Sequence, residues 1–132
     1  MHEIIIYTDG GARGNPGPAA IGVTIGEQGF KEYIGETTNN VAEYKAVIFA
    51  LRKTHELLGA ESHDATLMIH TDSELIAKQM MGLYKIKQAH LKELNGEAQG
   101  LRKPFKAVEF VIVRRELNTK ADALVNEALD EL

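Results

Sequence analysis

The stretch Tyr7-Thr8-Asp9-Gly10-Gly11-Ala12-Arg13-Gly14-Asn15-Pro16-Gly17-Pro18 decides how the chain is read. Before it, the apolar run Ile4-Ile5-Ile6-Tyr7 reads as a short buried strand that stops at an aspartate. Such a strand-to-loop break places Asp9 at the carboxyl edge of a sheet, where open α/β folds keep their ligand sites. Gly10 and Gly11 carry no Cβ and let a backbone or a substrate approach closely. A single Asp-Gly pair is no more than a turn opener. The loop lacks the Gly-Lys-Ser/Thr ending of a P-loop, which argues against a nucleoside-triphosphate site. What lifts Asp9 above a turn residue is an echo downstream. Residues 65–71 form a second apolar strand that also ends in Thr-Asp, at Thr71-Asp72, and a helix begins at once with Ser73.

Working outward, residues 19–26 suggest a strand and residues 30–37 its hairpin partner, so the chain opens with three strands in an antiparallel meander. A helix starts at Asn39-Asn40-Val41-Ala42-Glu43, with Tyr44, Val47, Ile48, Leu51, His55 and Leu58 on one face and Gly59 at its end. Asn40 with Glu43 three residues later resembles a capping box, which would account for both without any chemistry. Asp72 likewise suits the N-terminal end of a helix dipole. Residues 83–103 read as one helix, or two with a break near Asn95-Gly96, and Pro104 stops it. Residues 107–113 are the last strand. Asn118 or Thr119 then caps a final helix whose apolar stripe runs through Ala121, Leu124, Val125, Ala128, Leu129 and Leu132, with Asp122 in its first turn. The order β-β-β-α-β-α-α-β-α implies an α/β fold, a mixed sheet flanked by helices.

A chain of 132 residues is expected to be one domain, residues 1–132, with a real core. Its 26% of charged residues and the lack of a long apolar run exclude a membrane span. Met1-His2-Glu3 supplies no basic n-region, which argues against a secretory signal. The absence of cysteine excludes disulfides and thiolate metal sites and fits a cytoplasmic setting. Net charge is −4, but residues 78–106 hold seven Lys and Arg, among them Lys85, Lys87 and Lys92, against only Glu93 and Glu97. An acidic body with a basic segment suits an enzyme that holds metal ions in one place and phosphates in another. A solvated helix face would carry the same charges.

Four carboxylates thus stand at element ends: Asp9, Glu43, Asp72 and Asp122. Converging carboxylates tolerate one another best around cations, and oxygen-only ligands favour Mg²⁺ or Mn²⁺ over zinc. Two such ions about 4 Å apart are the standard device for in-line displacement at phosphorus.

The segments Thr8-Asp9-Gly10-Gly11 through Asn15-Pro16-Gly17, Thr38 through Glu43, Thr71-Asp72-Ser73 and Arg115 through Asp122 resemble, in order and spacing, the four blocks of ribonuclease HI. The resemblance covers essentially the whole chain. It implies a five-stranded mixed sheet and cleavage of the RNA strand of RNA–DNA hybrids, with 5′-phosphate and 3′-hydroxyl products. It further implies that Asp9, Glu43, Asp72 and Asp122 bind two Mg²⁺ ions, with Mn²⁺ as a substitute. Asn15, Asn39 and Asn40 match positions that touch the hybrid; Gly10, Gly11, Ser73, Lys85, Lys87 and Arg115 complete the expected substrate contacts. An amide suits a ribose 2′-hydroxyl, which both donates and accepts. A monomer is expected.

The chain departs from the family pattern in three ways. Many members carry a histidine in the loop before the final carboxylate; here that link is short, and His2, His55, His63, His70 and His90 all lie elsewhere. Arg115 or Glu116 is expected to substitute. The Trp-rich basic protrusion of some bacterial members has no counterpart, since the chain has no tryptophan. The animal-type pocket for a DNA-strand phosphate would need a hydroxyl and an arginine where Ala12 and Glu36 stand, so slow cleavage of double-stranded RNA is expected as well. A catalytically idle hybrid-binding domain and another nuclease of the same fold are the alternatives.

Overall fold

The apolar run at residues 4–7 does form a strand, but the strand does not stop at Asp9. In the computed structural model, which describes residues 2–132, β1 spans His2–Ala12. It continues because residues 9–12 keep antiparallel partners on β2 (Gly17–Ile25), with Asp9 opposite Gly22 and Ala12 opposite Ala19. On its other side β1 runs parallel to β4 (Ala65–Thr71), and that pairing ends at Tyr7 opposite His70. Asp9 therefore lies inside a strand on one side and at an opening in the sheet on the other. With β3 (Gln28–Thr37) and β5 (Ala107–Ile112), the sheet order is β3-β2-β1-β4-β5. The first three strands are antiparallel and the last two parallel to β1. This is the mixed sheet expected from the sequence.

Helix α1 (Asn39–Leu58) and α3 (Ala89–Leu101) cover one face, and α4 (Thr119–Asp130) covers the other. The alternation of β4 puts Leu67 and Ile69 into the first face, where they meet Ile6, Val23, Tyr44, Val47 and Leu51. Each such side chain contributes about 1.5–3 kcal/mol by leaving water. The stripe of α4 rests Val125, Ala128 and Leu129 on Ala20 of β2, while Leu132 is exposed. Gly22 allows this: a Cβ there would strike the Ala121 carbonyl and lie 2.9 Å from the Leu124 Cβ. Gly10 does the same for α1, since a Cβ would meet the Ala42 carbonyl and come within 2.6 Å of the Glu43 amide nitrogen. Two helices are thereby seated close to the strands they cross.

Three local readings are corrected. The N-cap of α1 is Thr38, whose hydroxyl accepts from the Val41 N–H at 3.3 Å, so Asn40 and Glu43 form no capping box. His55 is exposed rather than on the buried face of α1. The helix expected over residues 83–103 is shorter. After α2 (Glu74–Met80) the chain turns at Gly82, whose φ is 77°, and runs irregularly to the N-cap Gln88. Leu83 mimics the helical period but is 67% exposed, and α3 passes unbroken through Asn95-Gly96. No helix among the described residues is long and apolar enough to cross a membrane.

Candidate active site

Asp9 comes from β1, Glu43 from the first turns of α1 and Asp72 from the residue after β4. Each offers one carboxylate oxygen, and these three oxygens all lie within 4.8 Å of one another. The convergence follows from the fold. β1 and β4 are parallel neighbours, so their carboxyl ends share an edge, and Gly10 lets the start of α1 descend onto that edge. The Gly10 N–H then donates to Glu43 Oε1 at 2.8 Å, which takes the place of the capping bond that Glu43 does not make. Asp122, in the first turn of α4, is exposed and stands outside the close trio, but it lines the same cleft of about 300 Å³. Asn126, one turn later, donates to the Asp122 carbonyl at 3.2 Å and to its Oδ2 at 3.4 Å.

Electrostatics mark the cluster as short of positive charge. Burial pushes the Asp9 carboxyl up to about 7, helped by the charges of Asp72 and Asp122 and by a hydrogen bond with Asp122 that requires a proton. Only the Gly10 N–H works the other way. Glu43 is also raised well above the ordinary carboxylate range, first by burial and then by Asp9 and Asp72, against weaker pulls from Gly10 and Arg115. Like charges at such spacing do not all ionise without a cation. The donors are all oxygens, and no histidine lines the cleft among the described residues. Such a set fits a hard divalent ion.

Arg115 sits at the mouth. Its Nε lies 3.6 Å from Asp72 Oδ2, and its side chain is 86% exposed. The link that carries it is a single 3-10 turn, Arg115–Leu117, which leaves little slack between β5 and α4. On the other rim, Asn15 Oδ1 accepts from the Asn39 N–H at 3.0 Å, and Asn39 Oδ1 accepts from the Ala12 N–H at 2.8 Å. These bonds tie the glycine-rich loop to the start of α1 and leave each side-chain NH₂ as the unspent donor. Asn40 is half-buried in the same turn. The Ser73 hydroxyl accepts from the Ile76 N–H at 3.3 Å as the N-cap of α2.

The lysines are not gathered into this cleft. Lys85 and Lys87, from the irregular segment, and Lys92, from α3, line a separate groove of about 660 Å³ with Tyr84. One residue near the site escaped the sequence reading, and another was read only as a helix cap. Asn126 was within reach of that reading, four residues after Asp122 on one helix face. Asn118 was expected as a cap and holds that position, but its side chain makes no capping bond; its amide instead donates to the Thr8 carbonyl across a separation of 110 residues.

Three comparisons bear on this arrangement. A family model described as reverse transcriptase-like matches residues 7–128. The solved structure of LC11-RNase H1 in complex with an RNA/DNA hybrid is 47% identical, superposes with a TM-score of 0.91, and covers 97% of each chain. Ribonuclease HI of Halobacterium salinarum is 37% identical over 131 residues, 95% of this chain and 63% of that protein. A bifunctional protein of Mycobacterium tuberculosis is 39% identical over 135 residues, 97% of this chain. The chain spans only 36% of that mycobacterial protein's length.

Proposed function

Since the chain belongs to the ribonuclease HI family, we propose that it hydrolyses the RNA strand of RNA–DNA hybrids, leaving 5′-phosphate and 3′-hydroxyl ends. The observation that carries the proposal is the trio of carboxylate oxygens, from three separate elements, within 4.8 Å of one another. Asp9, Glu43 and Asp72 would hold Mg²⁺ or Mn²⁺, with Asp122 reaching a second ion from the cleft wall. Such ions activate the attacking water and stabilise the leaving oxygen.

The chain's own residues do the rest. Asn15 and Asn39, with their carbonyls engaged, present NH₂ donors to the ribose 2′-hydroxyls of the strand to be cut, and Asn40 adds a third amide beside them. Gly11 keeps the approach open, Gly10 admits α1 and so brings Glu43 to the hybrid, and Ser73 lies at the edge next to Asp72. Arg115 draws on the phosphate at the cleft mouth, in place of the loop histidine of other members. Lys85, Lys87 and Lys92 hold backbone phosphates some way from the reacting centre; such contacts position a duplex and carry no sequence information. Residues 1–132 act as one ribonuclease H domain, as a monomer, in the cytoplasm.

Selection against ribose on the second strand is the weaker half of the specificity. Ala12 offers no hydroxyl, its N–H is engaged by Asn39, and the exposed Glu36 would repel a phosphate. Double-stranded RNA is therefore a slow second substrate, most visible with Mn²⁺, and DNA duplexes stay intact. The test is cleavage of labelled hybrid, RNA duplex and DNA duplex, with and without each ion. Hybrid that survives with both ions would leave a catalytically idle binding domain. Hybrid cleavage with no trace of RNA-duplex cleavage would show that another surface does the selecting.

A further inference from the structure

We propose that Asn118 is a positioning residue for the carboxylate cluster, acting through the Thr8 carbonyl on β1 and the first turn of α4. Asn118 occupies the N-cap of α4, yet its side chain makes no capping hydrogen bond. Its Nδ2 instead donates to the Thr8 carbonyl at 2.9 Å, and its main-chain carbonyl accepts from the Asp122 N–H at 3.1 Å, the first bond of the helix. One residue thus links the position before Asp9 to the turn that carries Asp122.

The place of this link is telling. Pairing of β1 with β4 ends at Tyr7, so beyond it the β4 side of β1 has no strand partner. A carbonyl left there without a donor would be costly, and the Asn118 amide supplies the donor that β4 does not. The sheet can then open between Asp9 and Asp72 while β1 stays fixed.

Stability alone does not explain the choice of residue. Asn118 is 1% exposed, and its Oδ1 is buried with no hydrogen-bond partner. A buried unpaired acceptor is a cost the fold carries. A serine at this position would bury no unpaired amide oxygen. The amide is kept for what it reaches. Direct hydrogen-bond partners of metal ligands typically change metal affinity or activity 10–100-fold when removed, and Asn118 stands one step further out, reaching the Asp9 and Asp122 positions through the main chain.

The inference rests on the metal-site reading above, and the experiment separates the two. Mn²⁺ affinity is measured by titration calorimetry on wild type, Asn118→Ser, Asp122→Asn and the double variant, alongside melting temperature and hybrid kcat and KM. Asn118→Ser should keep a cooperative fold, weaken Mn²⁺ binding about tenfold, and lower kcat with KM unchanged. In the Asp122→Asn background it should cost little more, because the two act through one placement. A lower melting temperature with Mn²⁺ affinity and kcat intact would overturn the positioning role. So would fully additive losses in the double variant. Wild type that binds no Mn²⁺ would overturn both readings. Should Asn118→Ser fail to fold, Asn118→Asp keeps the shape and loses the donor. Its added negative charge favours a cation, so weaker Mn²⁺ binding there reports lost placement, and equal or tighter binding refutes it.

Discussion

Replacing Asp9 by asparagine in the metal-free protein should stabilise it most at pH 7 and above and do little only below about pH 4. The Asp9 carboxyl is raised from 3.8 to about 7, and a carboxylate raised on folding contributes stability that is complete at low pH and lost as pH rises through the folded value. A shift of roughly three units corresponds to about 4 kcal/mol between the neutral and charged forms. The realised gain should be nearer 2–4 kcal/mol, because Glu43 shares the cluster and can hold the proton in its place. For a chain of this length, with unfolding entropy near 2.1 cal/mol/K per residue, that is a rise in Tm of about 7–14 °C. The assay is thermal unfolding by circular dichroism in EDTA from about pH 4 to 8, read as the difference between variant and wild type so that other titrating groups cancel. The difference should open steadily above about pH 4, level off above about pH 7, and close again when Mg²⁺ is added, because the ion binds the wild type and stabilises it by mass action. Two curves that run parallel across the range would refute the reasoning: Asp9 would then not be held in its neutral form by the fold.

Asp72→Asn should lower cleavage of hybrid by roughly 10³-fold, in keeping with several kcal/mol of metal-ion stabilisation, while near-UV circular dichroism stays unchanged. Activity within tenfold of wild type would remove Asp72 from the metal set. Changing Lys85, Lys87 and Lys92 together to alanine should raise KM about tenfold, spare kcat and flatten the salt dependence by about one unit of slope for each phosphate no longer neutralised. An unchanged KM at low salt would return these lysines to a solvated surface. Arg115→Ala should lower kcat about tenfold, or 1.4 kcal/mol, with a smaller change in KM; a lower melting temperature with activity kept would make it structural.

Much of the site was legible because its carboxylates sit where elements begin and end. Asp72 follows β4 as expected, and Asp122 falls in the first turn of α4. Asp9 was placed at the correct edge for an incomplete reason: a single sequence shows the apolar run but not that β2 will pair with residues 9–12. Glu43 was masked by its fit to a capping box, since local spacing cannot tell a side chain that bonds its own helix from one that bonds a strand 33 residues away. Leu83 and Ile86 prolonged a helical period into a segment that Gly82 had already turned aside. Asn118 was legible as the cap position of α4, but its reach to β1 was not, because that partner is set by tertiary approach alone.

The two close seatings, Ala42 over Gly10 and Ala121 over Gly22, bear on how this chain can be engineered or can drift. Neither glycine has a positive φ, so on backbone grounds alanine looks like an ordinary stabilising exchange, one that trims the freedom of the unfolded chain by about 0.4–1 kcal/mol. At these two places the added methyl would instead lift a helix from its strand, and with it the Glu43 or Asp122 it carries. A mutational search guided by stability rules would thus find its most damaging false positives a few residues from the chemistry. Among the variants it yields, those at positions 10 and 22 should be set aside before any activity is measured.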